Sequence, residues 1–334
     1  MKTSRLTALT EWGKAHWATL RTVLTTVFLI LIVFLIGMAA WHVEWDEVLQ
    51  AMVKVPVRTL ALGGLLTLAS YLVYATFDLI GKRYAGHKLS SLTTYLSGMM
   101  VYAFIMSLGS SVGGLGLRLR LYTQRGVSTG KATRVFGLAV VTNWMGYLLI
   151  AGIVFALGAL SLPSDWWLGT GALRIAGTVM VLISIAYVLL CFFSGTRTWS
   201  VRGQRLELPS GPMSLAQLLL AAGNWALMGA VLWVLLQQRA DYSVVLGAVL
   251  LSAVAGLIAR VPAGLGVLEA ILIAVLSSPD MPRNEVLAGA LVYRAVYYLG
   301  PLFIAGIVYL LTEVMQRSRT PAVHEPAAKT GSSS

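Results

Sequence analysis

Six stretches of the chain, 20–41, 59–80, 134–160, 171–193, 213–236 and 285–312, are nearly continuous runs of apolar residues. Each reaches the length of about 20 residues at which a helix crosses the hydrocarbon core with its backbone hydrogen bonds made internally. The pattern predicts six full spans. Two other apolar regions do not read as single straight helices. Residues 92–131 start apolar, break at Ser110-Ser111-Val112-Gly113-Gly114-Leu115-Gly116, and continue with Arg118, Arg120, Arg125 and Lys131. Residues 242–277 break at Arg260-Val261-Pro262-Ala263-Gly264-Leu265-Gly266, and only a short apolar run follows.

The placement of basic residues decides how these two regions are threaded. If 92–112 were a full span, the basic block from Arg118 to Arg134 would face outward together with Arg197, Arg202 and Arg205, against the tendency of Lys and Arg to stay on the cytoplasmic side. If both broken regions are re-entrant hairpins, 92–131 and 242–277, eighteen basic residues lie inside and five outside, with Arg260 and Arg294 within the membrane. The expectation is an all-α polytopic membrane protein of six spans and two re-entrant helical hairpins, with both termini cytoplasmic.

Composition narrows the function classes. Of the 334 residues, 57% are hydrophobic and only 11% charged, against about a quarter charged in soluble domains. Outside the last twenty residues nothing is polar enough to make a water-soluble catalytic domain. The net charge of +12 suits basic loops on anionic lipid and gives no reason to expect a nucleic-acid partner. Cys191 has no partner for a disulfide, and the histidines at 16, 42, 87 and 324 lack metal-ligand spacing. Neither a metal nor a cofactor is expected. Residues 1–19 read as a basic cytoplasmic amphipathic segment, and 313–334 as a disordered cytoplasmic tail.

Residues 20–160 align in order with 171–312 at an offset near 150, and Gly-Leu-Gly occurs at both breaks, 114–116 and 264–266. In the derived topology the two halves have opposite orientation. Inverted repeats with discontinuous helices place a transporter's substrate site near the midplane, between the halves. Irregular backbone at that depth is tolerated only inside protein or beside a wet cavity.

Ionisable groups in the membrane cost at least about 2.5–3.5 kcal/mol and mark a pathway or a partner. Arg260, Glu269 and Arg294 fit either a polar pathway or a structural ion pair. Asp78, Arg118 and Arg120 fit either a cavity or the solvated interface. With the glycines at 114, 116, 264 and 266, Asn143 of an Asn-Trp pair, and Tyr297 of an Arg-Tyr stripe, they form the candidate substrate-binding set: Arg118, Arg120, Arg260, Glu269, Arg294, Gly114, Gly116, Gly264, Gly266, Asn143 and Tyr297. By offset, Glu269 falls opposite Arg118 and Arg120, with Arg260 as the competing partner. No nucleophile with a positioned base is apparent, and the chain is not expected to be an enzyme.

The runs YAGHKLS (84–90), VGGLGLRLRLYTQRG (112–126), TNWMGYLL (142–149), RVPAGLGVLEA (260–270) and YRAVYYLGPL (293–302) resemble those of the YbhN-like inner-membrane proteins of Gram-negative bacteria, within the wider family of the lysylphosphatidylglycerol synthase transmembrane region. The resemblance implies a flippase-type domain that moves phospholipid between leaflets, and a link to cardiolipin metabolism. It departs from the aminoacylating members, whose soluble lipid-aminoacylating domain has no counterpart in the twenty or so residues after the last span. The combined expectation is a bacterial inner-membrane lipid translocase for a phospholipid, with cardiolipin or a related anionic lipid as candidate cargo. A non-transporting partner of a phospholipid-synthesising enzyme and a proton-coupled small-solute transporter are the alternatives.

Overall fold

A computed structural model describes residue 30 and residues 45–160, 169–195, 198–201, 204–259 and 264–318. The expected basic segment at 1–19, nearly all of the first span and Arg260 lie outside the described residues. Helix α1 (Trp45–Lys54) leads into α2 (Val57–Ala85), α3 (Ser91–Gly109) and, after a π-helical stretch at Ser110–Gly116, α4 (Leu117–Thr123). Helices α5 (Thr129–Ala156) and α6 (Thr170–Phe193) follow. A small antiparallel pair, β1 (Thr198–Val201) and β2 (Gln204–Glu207), in register from Thr198 opposite Glu207 to Val201 opposite Gln204, precedes α7 (Gly211–Leu235). Then come α8 (Tyr242–Ala259), α9 (Val267–Leu276), α10 (Arg283–Tyr293), a second π-helical stretch at Arg294–Leu299, and α11 (Gly300–Ser318).

Apart from the β1–β2 pair, the protein is an all-α polytopic membrane protein, with seven helices among the described residues long and apolar enough to cross a membrane. The apolar runs at 59–80, 134–160, 171–193 and 213–236 correspond to α2, α5, α6 and α7, and the run at 285–312 to α10 through α11. Helix α11 continues to Ser318, so residues 313–318 are helical where a disordered tail was expected, and Glu313 is buried and bonded to α4.

The first break folds back on itself. Gly109 takes φ +79° at the end of α3, a conformation that an L side chain adopts at a cost. The chain then returns so closely that a Cβ on Gly113 would overlap the carbonyl of Phe104. By the end of this excursion Tyr122 packs against His87, and Lys131 Nζ donates to the Gly86 carbonyl at 2.8 Å. The excursion ends beside its starting point. After the second break α9 packs back along α8, and a Cβ on Gly256 would lie 3.4 Å from Cα of Gly264. Length alone does not separate a hairpin arm from a span, because α3 and α8 have 19 and 18 residues.

The main core joins both halves through α2, α5 and α7, while a smaller apolar cluster built on Phe104, Leu117, Leu121 and Tyr122 closes the base of the first hairpin. Helix α6 leaves most of its apolar side chains exposed, as a helix facing lipid should.

Candidate functional site

Asp78 is fully buried on α2, about two turns before that helix ends. Arg118 on the returning arm, 1% exposed, donates to it from Nε at 3.0 Å and from Nη2 at 2.9 Å. Tyr122, one turn further along α4, adds its hydroxyl to the same carboxylate at 2.7 Å. Two parallel N–H bonds on one carboxylate fix the guanidinium plane. Its remaining nitrogen, Nη1, makes no hydrogen bond among the described residues.

Arg118 forms part of the wall of a cavity of about 560 Å³. The tips of both hairpins reach this space, Gly109 and Ser110 from the first, Gly256 and Gly264 from the second. The rest of its lining is largely apolar, aliphatic side chains together with the rings of Tyr74, Tyr102, Phe136, Trp144, Trp225 and Tyr298, while Asn143 and Ser252 add polar edges. A cavity of this size with an apolar lining and a few fixed polar groups has the usual make-up of a ligand site.

The second hairpin is held by its own ion pair. Arg294, at the start of the second π-helical stretch, pairs with Glu269 through Nε and Nη2, the latter at 3.0 Å from Oε2. Its Nη2 also donates to the Gly264 carbonyl at 2.8 Å. Glu269 in turn accepts the Gly266 N–H at 2.9 Å, so the acid caps α9 and holds the turn in which Gly266 takes φ +78°. The expectation that Glu269 would meet Arg118 or Arg120 is corrected: among the described residues its partner is Arg294, one helix further along the same half, while Arg260, the competing partner, lies outside the described residues. Arg120 instead pairs with Glu313 of α11 at 2.8 Å. The Asp78–Arg118 and Glu269–Arg294 pairs each stay inside one half of the chain, whereas Arg120–Glu313 ties the first hairpin to α11.

Hydroxyl and amide groups join the halves. Ser70 on α2 donates to Asn224 Oδ1 on α7 at 2.8 Å, and Asn224 Nδ2 donates to the Tyr102 hydroxyl of α3 at 3.1 Å. Tyr297 closes the ring with contacts of 2.6 Å to Ser70 and 2.8 Å to Tyr102, and its carbonyl accepts from Tyr71 at 3.0 Å. All of these side chains are buried. Tyr102 takes part in the network and in the cavity wall.

Of the residues expected from sequence, Arg118, Asn143 and Gly264 line the cavity. Glu269, Arg294 and Gly266 support the second tip. Gly114 faces Phe136 and Ile105, and Gly116 immediately precedes α4. Tyr297 lies behind the wall in the buried network, and Arg120 lies away from the cavity beside α11. The candidate set read from sequence did not include Tyr122, Ser70, Asn224 or the cavity rings, and Asp78 was left undecided between interior and interface. Asn224 carried a signal, an amide in the middle of an apolar run, but the matching Asn-Trp pair drew attention to Asn143. That residue does meet the other pair: its carbonyl accepts from Trp225 Nε1 at 3.3 Å.

Comparison with known proteins places this geometry in context. Residues 21–305 match the family model for the lysylphosphatidylglycerol synthase TM region. The chain is 39% identical to the inner membrane protein YbhN of Escherichia coli over 94% of its own length and 99% of that protein. It is 30% identical to an uncharacterized protein of Synechocystis over 88% of its length and 90% of that relative. A shorter stretch, 27% of the chain and 11% of the relative, is 29% identical to a phosphatidylglycerol lysyltransferase of Staphylococcus haemolyticus.

Proposed function

We propose that this chain, which belongs to the lysylphosphatidylglycerol synthase TM-region family, moves a phosphate-bearing lipid between the leaflets of a bacterial inner membrane and does no bond chemistry on it. The observation that carries the proposal is Arg118, fixed by Asp78 and Tyr122 in the wall of a cavity that both hairpin tips reach, with one nitrogen still unpaired. A phosphate oxygen is the acceptor that an oriented guanidinium suits best. The apolar lining covers the glycerol and upper acyl region while the chains remain in lipid. The relation to an inner membrane protein and to a lipid-modifying enzyme supports the cellular setting and the lipid as cargo.

In this reading the chain has six spans, and the hairpins at 92–131 and 242–277 enter from opposite faces as the equivalent parts of an inverted repeat. Both termini are cytoplasmic, and cardiolipin or a related anionic phospholipid is the first cargo to examine. Both tips line the one cavity, where alternating access needs a barrier that either half can open. Purified protein in vesicles carrying a fluorescent phospholipid in both leaflets tests the proposal. Loss of the inner-leaflet signal to an external quencher should be faster than in protein-free vesicles, and equal rates would refute the reading.

A further inference from the structure

We propose that His87 makes the base of the first hairpin pH-sensitive, protonation of its imidazole releasing the α2–α3 connection from α4 and loosening the group that holds Arg118 in the cavity wall. The proposal concerns regulation of that cavity, and its functional consequence rests on the lipid-moving reading.

His87 is 6% exposed. Its ring meets Tyr122 edge-on, with centroids 5.2 Å apart and planes at 88°. Neither ring nitrogen has a hydrogen-bond partner among the described residues. The contact the ring makes among the described residues is the edge-on packing against Tyr122. A charge gained there would not be welcome. The charged groups facing it are Lys82 and Asp78 from α2 and Lys131 from α5, with Lys88 next in the connection and Tyr122 as the contact from α4. Lys82 and Lys131 are themselves held close, by Ser91 Oγ at 3.1 Å and the Gly86 carbonyl at 2.8 Å. The nearby acid, Asp78, is already committed to Arg118 and Tyr122.

Burial first, and Lys82 next, hold the imidazole below the ordinary histidine range. The sign follows directly. A group whose pKa is lowered in the packed state gives that state its full stability above the ordinary value of about 6.5, and the stability is lost as pH falls below it. The consequence reaches the cavity in three contacts: His87 packs on Tyr122, Tyr122 donates to Asp78, and Asp78 orients Arg118.

The test measures the hairpin and not lipid movement, so failure of the switch and failure of the transport reading are separable. Spin labels on Leu92→Cys and Thr123→Cys, both exposed positions at the hairpin base, in a Cys191→Ser background, report the distance between α3 and α4 in detergent. Between about pH 8 and about pH 5, values on either side of the ordinary histidine pKa, the wild-type distribution should shift to longer distances. His87→Gln and His87→Phe, the latter retaining an edge contact with Tyr122, should each hold the high-pH distribution throughout. A wild-type distribution that does not move, or a wild-type shift in either His87 variant, overturns the proposal.

Discussion

Arg118 and Asp78, forty residues apart in the chain, share two hydrogen bonds of 3.0 and 2.9 Å while 1% and 0% exposed. The bond network assigns the pair two separate roles. It ties the returning arm of the first hairpin to α2, and it fixes Arg118 in the wall of the cavity. Removing one member of a buried pair typically costs about 3–5 kcal/mol, because the other charge remains buried alone, whereas replacing both with apolar groups is often neutral or stabilising. Asp78→Asn should therefore lower the thermal unfolding midpoint in detergent sharply, and the double variant Asp78→Leu/Arg118→Met should recover most of the loss. A double variant as unstable as the single one would mean that the charges themselves hold the hairpin.

The second tip gives a test of partner choice. Glu269→Arg should destabilise the protein, and Arg294→Glu in the same chain should restore part of the folded yield. Reversing Arg118 or Arg120 in place of Arg294 should restore none, since these are committed to Asp78 and Glu313. Rescue by Arg118→Glu, read by size-exclusion profile, would contradict the pairing described above.

Much of the architecture is legible in the sequence because the bilayer imposes it. An uninterrupted apolar run of sufficient length can only be a helix there, so α2, α5, α6 and α7 match their runs closely. The breaks in the apolar pattern were legible at Ser110–Gly116 and at Gly264–Gly266, and the structure places the close approach of Gly113 and the positive φ of Gly264 and Gly266 there. Which acid meets which base was not legible. That depends on the depth and rotation of each helix to within about one turn, and the π-helical stretch Arg294–Leu299 alters the rotation in the last span. An offset of 150 residues therefore pointed Glu269 at Arg118, when the local turn gave it to Arg294. The β1–β2 pair passed as an ordinary basic loop because four-residue strands carry little periodicity.

The inter-half network predicts a smaller and graded effect. Asn224→Leu leaves Ser70 and Tyr102 without the bonds that Asn224 supplied, and Tyr297→Phe removes the hydroxyl that joins them. Each should cost about 1–3 kcal/mol, and the two together should cost less than the sum of the singles, because they disrupt one network. Full additivity in thermal unfolding would show that the two residues act independently.

Backbone approach at the first tip leaves no room for a side chain. Gly113→Ala should abolish folded yield or shift the unfolding midpoint by several degrees, since its Cβ would overlap the Phe104 carbonyl. Gly137→Ala, which meets nothing within 4 Å on α5, should be tolerated. Equal behaviour of the two in expression and thermal melts would contradict the hairpin geometry.

The most direct measurement of the central claim combines the vesicle assay with the apolar double variant. Wild-type protein and Asp78→Leu/Arg118→Met, matched for folded fraction after reconstitution, are compared for the rate at which a fluorescent phospholipid in the inner leaflet becomes accessible to an external quencher. The account predicts acceleration by the wild type and, from the well-folded double variant, a rate indistinguishable from protein-free vesicles. A double variant as fast as the wild type would show that lipid moves without the Arg118 guanidinium, and would contradict the assignment of the cavity.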